Sequence, residues 1–210
     1  MLTLYIARHG QTEWNIDKRM QGWENSDLTP LGLANAEALG KKLKGIQFQA
    51  AYVSTSGRAV DSARAMLQNR SIPFIKDDLF REISLGSWEG KTYDDIQQHD
   101  RGRFEAYFKA PEQYISDGGE SFAEFEVRVR QALGHIVHNH QEGSVLLVTH
   151  SVFILMLLNI VKNLPINEIW NSSYVHDTAL AVVTISEKGD MTILKEGDGD
   201  HRIKQADVTW

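Results

Sequence analysis

The sequence predicts an α/β fold of three layers, in which a mostly parallel sheet carries helices on both faces. Short apolar runs rich in branched and aromatic residues recur along the chain, and segments of helical periodicity separate them. The apolar runs show little alternation with polar residues, which is typical of strands covered on both faces. A regular succession of strand and helix is what a parallel sheet requires, because each crossover needs a helix-sized connection.

Composition limits the classes of protein to consider. The 210 residues, 42% hydrophobic and 24% charged, predict a single domain spanning residues 1–210. A net charge of −6 argues against a nucleic acid or an anionic membrane as partner, and the absence of cysteine excludes thiolate sites and disulfides. We expect a cytoplasmic protein, because Arg8 and His9 interrupt the first apolar run and residues 152–161 are only about half of the roughly 20 residues that span a bilayer.

The first half of the chain supplies strands and helices in turn. The predicted strands are residues 2–7, 49–57 and 72–78. Residues 28–43 favour a helix, because Thr29 suits the N-cap and Pro30 the first helical position. The predicted buried stripe of this helix is Leu31, Ala34, Ala38 and Leu39. Residues 58–70 favour a second helix, whose predicted inward side chains are Ala59, Ala63, Met66 and Leu67.

The middle of the chain is predicted to leave the sheet. Between residues 85 and 119 the periodicity loosens, and the segment is broken at Gly86, Gly90, Gly102 and Pro111. We expect an irregular excursion here, near the mouth of any site at the strand ends. The aromatic residues of this segment are equally consistent with a substrate mouth and with a local core. These residues are Trp88, Tyr93, Tyr107, Phe108 and Tyr114.

Regular patterns return after the excursion. Ser121 opens a capping box ahead of a helix that we expect to end at Gly143, with inward residues Phe125, Val129, Leu133 and Ile136. Residues 144–150 form the clearest buried strand, and residues 151–164 a helix that Pro165 stops. The chain closes with a predicted hairpin of residues 178–186 and 191–197.

Polar residues that suit phosphate chemistry follow several of the predicted strands. Arg8, His9 and Gly10 follow the first strand, Arg58 lies just after the second, and His150 ends the strand of residues 144–150. Ligands of open α/β sheets bind outside the carboxyl ends of the strands. Arginine matches phosphate oxygens with a planar fork of donors, and a neutral histidine nitrogen can attack phosphorus. We therefore predict one small pocket for a phosphate dianion, with Gly10 letting the backbone pass close to the bound oxygens.

Four segments resemble one known family. "ARHGQTEWN" is similar to the signature of the histidine phosphatase superfamily, also called the phosphoglycerate mutase-like family. "STSGRAVDSA" resembles the segment with the second arginine, "REISLGSWEG" the segment with the catalytic acid, and "LLVTHS" the segment with the second histidine. The resemblance covers nearly the whole chain, and four motifs in the same order are far more specific than the letters R-H-G alone.

The resemblance implies a phosphoglycerate mutase-like fold and a covalent mechanism. His9 would accept the phosphoryl group, while Arg8, Arg58 and His150 would hold its oxygens. Glu82 would protonate the leaving alcohol and then activate water, a role that a neighbouring phosphate supports by favouring the protonated carboxyl. Neither a metal nor another cofactor is expected, because arginine and histidine supply the positive charge.

The family pattern also points to secondary positions. Asn15, Gln21 and Gly22 are expected around the phosphate, with Trp23 alongside. The chain departs from the pattern at Ser151, where glycine is more common after the second histidine. Ser151 is counted with the phosphate-binding candidates, and two roles stay open for its hydroxyl, a change in packing or an added donor near the pocket. It also has Gln11 where glutamate is frequent.

Three functions from different classes follow from these residues. A phosphatase of small phosphomonoesters is favoured, and a phosphoglycerate mutase with the same pocket is the alternative. Mutases of this family tend to be longer, with a basic and proline-rich middle stretch that this chain lacks. A non-catalytic phosphate-binding protein comes last, because every key residue is present. A sugar phosphate, phosphoglycerate, α-ribazole phosphate, a nucleotide or a phosphoprotein all stay open as substrates, and so does the oligomeric state.

Histidines outside these motifs receive more ordinary interpretations. His135 and His138 lie one helical turn apart, but no third ligand completes a metal pattern, so we interpret them as exposed helix-end residues. His176 and Asp177 precede the last hairpin near the predicted pocket rim and receive no role.

Overall fold

A six-stranded sheet forms the centre of the computed structural model, which describes residues 1–172 and 175–203. The strands are β1 (Leu2–Arg8), β2 (Phe48–Ser54), β3 (Phe74–Asp77), β4 (Gly143–Thr149), β5 (Leu180–Ile185) and β6 (Met191–Asp198). Their order across the sheet is β3-β2-β4-β1-β5-β6. The first four are parallel to one another, while β5 and β6 form an antiparallel hairpin beside β1. The predicted α/β class and the closing hairpin are confirmed.

Seven α-helices lie in the described part of the chain. They are α1 (Glu13–Ile16), α2 (Pro30–Lys42), α3 (Gly57–Leu67), α4 (Tyr93–His99), α5 (Arg101–Lys109), α6 (Phe122–Asn139) and α7 (Ser151–Val161). Short 3-10 helices span Asp78–Phe80, Gly86–Trp88, Pro111–Gln113 and Ile166–Asn171. Within residues 1–172 and 175–203, none of the helices has both the length and the apolar character needed to cross a bilayer.

Helices cover both faces of the sheet, which produces two apolar cores. Leu4 and Ile6 of β1 face the core that α6 and α7 close, while Ala7 faces the core that α2 and α3 close. This division follows from the strand geometry, since successive side chains point to opposite faces. The three-layer arrangement therefore explains why β4 is apolar on both faces from Val145 to Val148.

Side-chain caps set two of the helix starts as predicted. Thr29 Oγ1 accepts a hydrogen bond from Gly32 N at 2.9 Å, which satisfies one of the backbone donors at the start of α2. Ser121 and Glu124 form a reciprocal capping box at the start of α6. Each of these short sequence signals works because both hydrogen-bonding partners lie within one helical turn.

The buried face of α2 differs from the predicted stripe. Leu39 is buried, but the other three predicted residues are only half-buried; they are Leu31, Ala34 and Ala38. The buried positions are Gly32, Asn35, Ala36, Leu39 and Gly40. A Cβ on Gly40 would lie 2.3 Å from Met66 O of α3, so the small-residue face is the one that allows α2 and α3 to pack closely.

Two further predictions need correction. The excursion of residues 85–119 is more regular than expected, because it contains α4, α5 and two 3-10 helices whose aromatic rings pack on one another. Helix α6 ends at Asn139 rather than at Gly143. Gly143 instead begins β4 with a φ of +84°, a conformation that glycine adopts without strain.

Candidate active site

A cavity of about 540 Å³ opens at the carboxyl end of β1. Its inner wall holds eight of the nine residues that the sequence predicted for the site: Arg8, His9, Asn15, Gln21, Gly22, Arg58, Glu82 and Ser151. The ninth, His150, is fully buried at the end of β4, behind this wall, with its ring centroid 5.2 Å from that of His9. The parallel topology explains the convergence, because β1 and β4 are neighbours and end at the same edge.

The tautomer of His9 follows from its hydrogen bonds. Nδ1 lies 2.7 Å from Gly10 O, and a carbonyl oxygen only accepts, so Nδ1 carries the proton. Arg58 Nε donates toward His9 Nε2 at 3.3 Å, which agrees with a lone pair on that nitrogen. Burial, together with the charges of Arg58 and Arg8, holds the pKa of His9 well below 6.5. His9 is therefore a neutral imidazole with its nucleophilic nitrogen beside an arginine.

His150 is fixed as the opposite tautomer. Its Nδ1 accepts from Arg58 Nη2 at 3.2 Å, so its Nε2 carries the proton and donates to Ser54 Oγ at 2.8 Å. Burial and the charge of Arg58 lower the pKa of His150 well below 6.5. In this state His150 orients the guanidinium group; to donate to a phosphate oxygen through Nδ1 it would have to gain a proton.

Arg58 is the most fully engaged cation of the site. It is 1% exposed, and it donates to Gly22 O at 2.8 Å and to Glu24 O at 2.6 Å in addition to its contacts with the two histidines. Burial lowers its pKa to about 10, which leaves it charged at neutral pH. A cation in the first turn of α3 is electrostatically unfavourable, and the dipoles of these two carbonyl groups offset that cost.

Arg8 and His9 are supported from the segment before β5. Arg8 Nη1 donates to Val175 O at 2.6 Å, and Thr178 N donates to His9 O at 3.2 Å. Asp177 accepts from Arg202 Nη2 at 2.5 Å and from Asn35 Nδ2 at 3.1 Å, which ties this segment to α2 and to the chain after β6. Asp177, which received no role from the sequence, therefore acts on the backbone that carries His9.

Glu82 lies across the cavity at the start of α7. Its Oε1 accepts from Ile83 N at 3.1 Å and Phe153 N at 3.0 Å, while its Oε2 accepts from Val152 N at 3.0 Å. Burial raises the pKa of Glu82 above its ordinary value of 4.5, although these hydrogen bonds and the charges of Arg58 and Arg8 act in the opposite direction. A buried carboxyl with a raised pKa is suited to general acid chemistry.

Several residues that hold the site in place were missed by sequence reasoning. Trp23 Nε1 and Arg128 Nη2 both donate to Glu82 O, at 2.8 and 2.9 Å. The sequence predicts Trp23 beside the phosphate, but its side chain lies outside the cavity wall and supports the backbone of Glu82 through this hydrogen bond. Ser62 Oγ accepts from Gly10 N at 2.8 Å. No local pattern indicates Arg128 or Ser62, because each acts from a helix distant in sequence.

Gly10 is required for helix packing as well, in addition to the close approach to bound oxygens that the sequence predicts. A Cβ at this position would lie 2.4 Å from Gly32 O, on helix α2. The glycine therefore allows α2 to pack against the backbone beside His9, whereas the sequence suggested only a close approach to bound oxygens.

The secondary positions offer polar groups to the inner cavity. Asn15 Oδ1 accepts hydrogen bonds from Thr12 N and Thr12 Oγ1 at the start of α1. The side-chain nitrogen of Asn15, Nδ2, takes no part in this cap. Gln21 is 9% exposed, and its Oε1 is buried without a hydrogen-bond partner among the described residues. Gly22 contributes backbone only, with a φ of +48°. Ser151 is half-buried, and its Oγ lies 3.4 Å from Glu82 Oε2.

The outer wall of the cavity is mainly apolar. It is formed by Trp14 of α1, Tyr93 of α4, Phe108 of α5, Leu155 of α7 and Trp170. The aromatic residues of segment 85–119 therefore divide between the two predicted positions, the wall of the cavity and a local core. Tyr93 and Phe108 line the cavity, Trp88 and Tyr114 belong to the core at 1% and 3% exposed, and Tyr107, 2% exposed, is part of the core and also lines the cavity.

The inner wall can stabilise a doubly negative group without a metal. It combines two arginines with a neutral imidazole nucleophile and a buried carboxyl. In residues 1–172 and 175–203, no group of three or more histidine, aspartate or glutamate side chains is arranged to hold a metal ion.

The chain is similar to known proteins over most of its length. The family model "Histidine phosphatase superfamily (branch 1)" matches residues 4–197. The solved structure of Bacillus stearothermophilus YhfR is 39% identical, with a TM-score of 0.93 over 97% of this chain and 100% of that one. The structure of phosphoglycerate mutase from Bacillus anthracis str. Sterne is 26% identical, with a TM-score of 0.83 over 95% and 94%. Adenosylcobalamin/alpha-ribazole phosphatase of Escherichia coli (strain K12) is 27% identical over 81% of this chain and 84% of the relative.

Proposed function

The chain belongs to the histidine phosphatase superfamily, and from this premise we propose that it hydrolyses small phosphomonoesters through a phosphohistidine on His9. One observation carries the proposal. His9 Nδ1 donates to Gly10 O, so Nε2 is the unprotonated nitrogen, and it lies next to Arg58 in a buried cavity. A neutral nucleophile beside a fixed cation is what attack on a phosphate dianion requires.

The first half of the reaction transfers the phosphoryl group to the enzyme. His9 Nε2 forms a bond to phosphorus while the bond from phosphorus to the alcohol oxygen breaks. Glu82 supplies the proton that the departing oxygen takes up. Arg8 and Arg58 stabilise the charge on the equatorial oxygens, and His150 joins them when its Nδ1 gains a proton near the dianion.

The second half returns the enzyme to its starting state. The carboxylate of Glu82 accepts a proton from water, the water oxygen bonds to phosphorus, and the N–P bond to His9 breaks. Inorganic phosphate leaves, and Glu82 is protonated again for the next cycle. The same carboxyl therefore acts first as acid and then as base.

The outer cavity supports a preference among esters. Its wall is formed by aromatic and aliphatic side chains such as Trp14, Phe108 and Leu155. We therefore propose that the alcohol part of a good substrate is apolar or carries a ring, because burial of such a group against this wall is favourable.

A phosphoglycerate mutase is the second candidate. The B. anthracis structure named as a mutase has the same fold, and Lys18 and Arg19 line this cavity as cations for a second anionic group. The aromatic outer wall favours the phosphatase, since a carboxylate loses more hydration there than a ring does.

The deciding experiment measures two reactions side by side. Phosphate release is measured from p-nitrophenyl, benzyl and glycerol phosphates, and 3-phosphoglycerate is followed to 2-phosphoglycerate with and without 2,3-bisphosphoglycerate. Release without interconversion is the expected result. Interconversion with little phosphate release would establish the mutase. Absence of both activities would favour a phosphate-binding protein.

The remaining sequence expectations stay part of this proposal. Residues 1–210 act as one domain, with residues 85–119 beside the active-site mouth. The reaction takes place in the cytoplasm on a small phosphorylated molecule, without a metal, a nucleic acid or a membrane as partner.

A further inference from the structure

The hydrogen bonds of Glu82 restrict where its acid proton can lie. A carboxyl group has about four acceptor positions, two on each oxygen. Both positions on Oε1 are filled by backbone donors, Ile83 N and Phe153 N, and one on Oε2 is filled by Val152 N. These N–H groups cannot accept a proton in exchange. The proton of the neutral acid therefore lies on the remaining side of Oε2.

Ser151 faces that remaining position. Its Oγ lies 3.4 Å from Glu82 Oε2, and Ser151 also lines the cavity that holds His9. A hydroxyl both donates and accepts, so it can receive the proton from Oε2 and release its own toward the cavity. Arg8 and Arg58 act on Glu82 through their charges and Tyr107 lies near it, whereas Ser151 offers a hydroxyl within hydrogen-bond distance of Oε2.

The start of α7 fixes the position of Ser151 relative to the carboxyl group of Glu82. It is the first residue of α7, and the two following backbone N–H groups are those that hold Glu82. The serine and the carboxyl are therefore fixed to the same helical turn. A glycine at this position, which the family resemblance leads one to expect, would leave the open side of Oε2 facing the cavity directly.

We propose that Ser151 is a catalytic residue that relays the proton between Glu82 and the reacting oxygen; this rests on the proposed phosphatase function. In the first half-reaction Glu82 Oε2 gives its proton to Ser151 Oγ, and the hydroxyl proton of Ser151 passes to the departing alcohol oxygen. The P–O bond breaks as the N–P bond forms. In the second half-reaction both transfers run backward from water, so that serine and carboxyl are regenerated.

The test compares two ring-bearing esters that differ in leaving group. Benzyl phosphate releases a basic alkoxide that needs the proton, whereas p-nitrophenyl phosphate releases a stable phenolate. Removing a general acid typically costs about 10²- to 10⁴-fold. Ser151→Ala leaves Glu82 in place and is therefore expected to lower kcat/KM, which reports the first half-reaction, about 30-fold for benzyl phosphate and less than about 3-fold for p-nitrophenyl phosphate. Ser151→Thr, which keeps the hydroxyl, restores most of the loss. The matched control is Ser87→Ala, a half-buried serine outside this cavity.

Proton inventories in mixtures of H₂O and D₂O supply a second readout. Two protons in flight produce a curved dependence on deuterium content for benzyl phosphate in the wild-type enzyme, and Ser151→Ala makes it linear. An equal loss of kcat/KM for both esters, an unchanged kcat/KM for benzyl phosphate, or a linear inventory in the wild type would each overturn the relay.

The design separates the relay from the proposed function. Release of phosphate from p-nitrophenyl phosphate by the wild type, with trapping of an acid-labile phosphohistidine, tests the phosphatase alone. If the wild type hydrolyses neither ester, the phosphatase fails and the relay fails with it. If it hydrolyses both and Ser151→Ala behaves like the wild type, only the relay is overturned.

Discussion

The inner and outer ends of the cavity are built in different ways. At the inner end, His9, Arg58 and Glu82 are each fixed by at least one hydrogen bond to a buried backbone group. At the outer end, the ring of Phe108 is held by packing, with its centroid 5.4 Å from that of Trp170.

The difference shows how one cavity can separate reaction from recognition. Hydrogen bonds are directional, so the inner atoms are held where a phosphoryl group reacts. Ring packing tolerates changes of shape much better. Substitutions at the inner end should therefore change the rate for every ester, while those at the outer end should change the choice among esters.

The largest effect is expected at the nucleophile. His9→Ala removes the nitrogen that bonds to phosphorus, and kcat should fall on the order of 10⁶-fold for all esters, as measured for deletion of another enzyme's nucleophile. Phosphate release and phosphohistidine trapping measure the loss, and circular dichroism checks the fold. His138→Ala, at an exposed histidine of α6, is the matched control. Retention of substantial turnover by His9→Ala would contradict the covalent mechanism.

The next largest effect tests the acid through its pH dependence. Burial raises the pKa of Glu82, and the acid form is the active one, so kcat/KM for benzyl phosphate should fall as pH rises through that pKa. His9 must be neutral, and its pKa lies well below 6.5, so activity should also fall as pH drops through that lower value.

Glu82→Gln should remove the alkaline limb of this profile. It should also lower kcat/KM about 10³-fold for benzyl phosphate and much less for p-nitrophenyl phosphate, because only the alkoxide needs a proton in the first half-reaction. Glu112→Gln, at an exposed position, is the control. A wild-type alkaline limb that persists in Glu82→Gln would assign the acid to another group.

A smaller effect is expected from replacing the guanidinium fork. Arg58→Lys keeps the charge but replaces the planar fork, whose Nη1 and Nη2 donate to Glu24 O and Gly22 O, with a single nitrogen. Loss of about 3 kcal/mol of charge-assisted hydrogen bonding corresponds to about 10²-fold in kcat/KM for every ester. Inhibition by vanadate reports on the same site. Arg64→Lys, an exposed arginine of α3, should match the wild type. A change confined to the aromatic esters would contradict the division between the two ends.

The smallest effect should distinguish one ester from another. Phe108→Ala removes part of the apolar wall, and kcat/KM for p-nitrophenyl and benzyl phosphates should fall about 5-fold, or about 1 kcal/mol, while glycerol phosphate is little affected. Phe74→Ala, at a half-buried phenylalanine of β3, controls for loss of stability. Equal loss for all three esters would show that Phe108 acts on the inner end as well.

Local sequence signals were sufficient for much of the fold. The apolar strands, the Thr29 cap and the Ser121–Glu124 box depend on neighbours within a few residues, and the structure contains all of them. The buried face of α2 was predicted wrongly, because it depends on how closely α3 approaches at Gly40. Helices α4 and α5 were missed since their rings find partners in distant elements such as Trp170.

By itself, the sequence determined the order of the strands and of the four helices α2, α3, α6 and α7, and the residue types available for phosphate chemistry, since these depend on local composition and spacing. Only the tertiary structure decided which nitrogen of His9 carries its proton, because Gly10 O and Arg58 must both be in place. It likewise decided that three backbone donors hold Glu82 and that Ser151 faces its open side. Hydrogen bonds between residues distant in sequence form only once the strands and helices have packed.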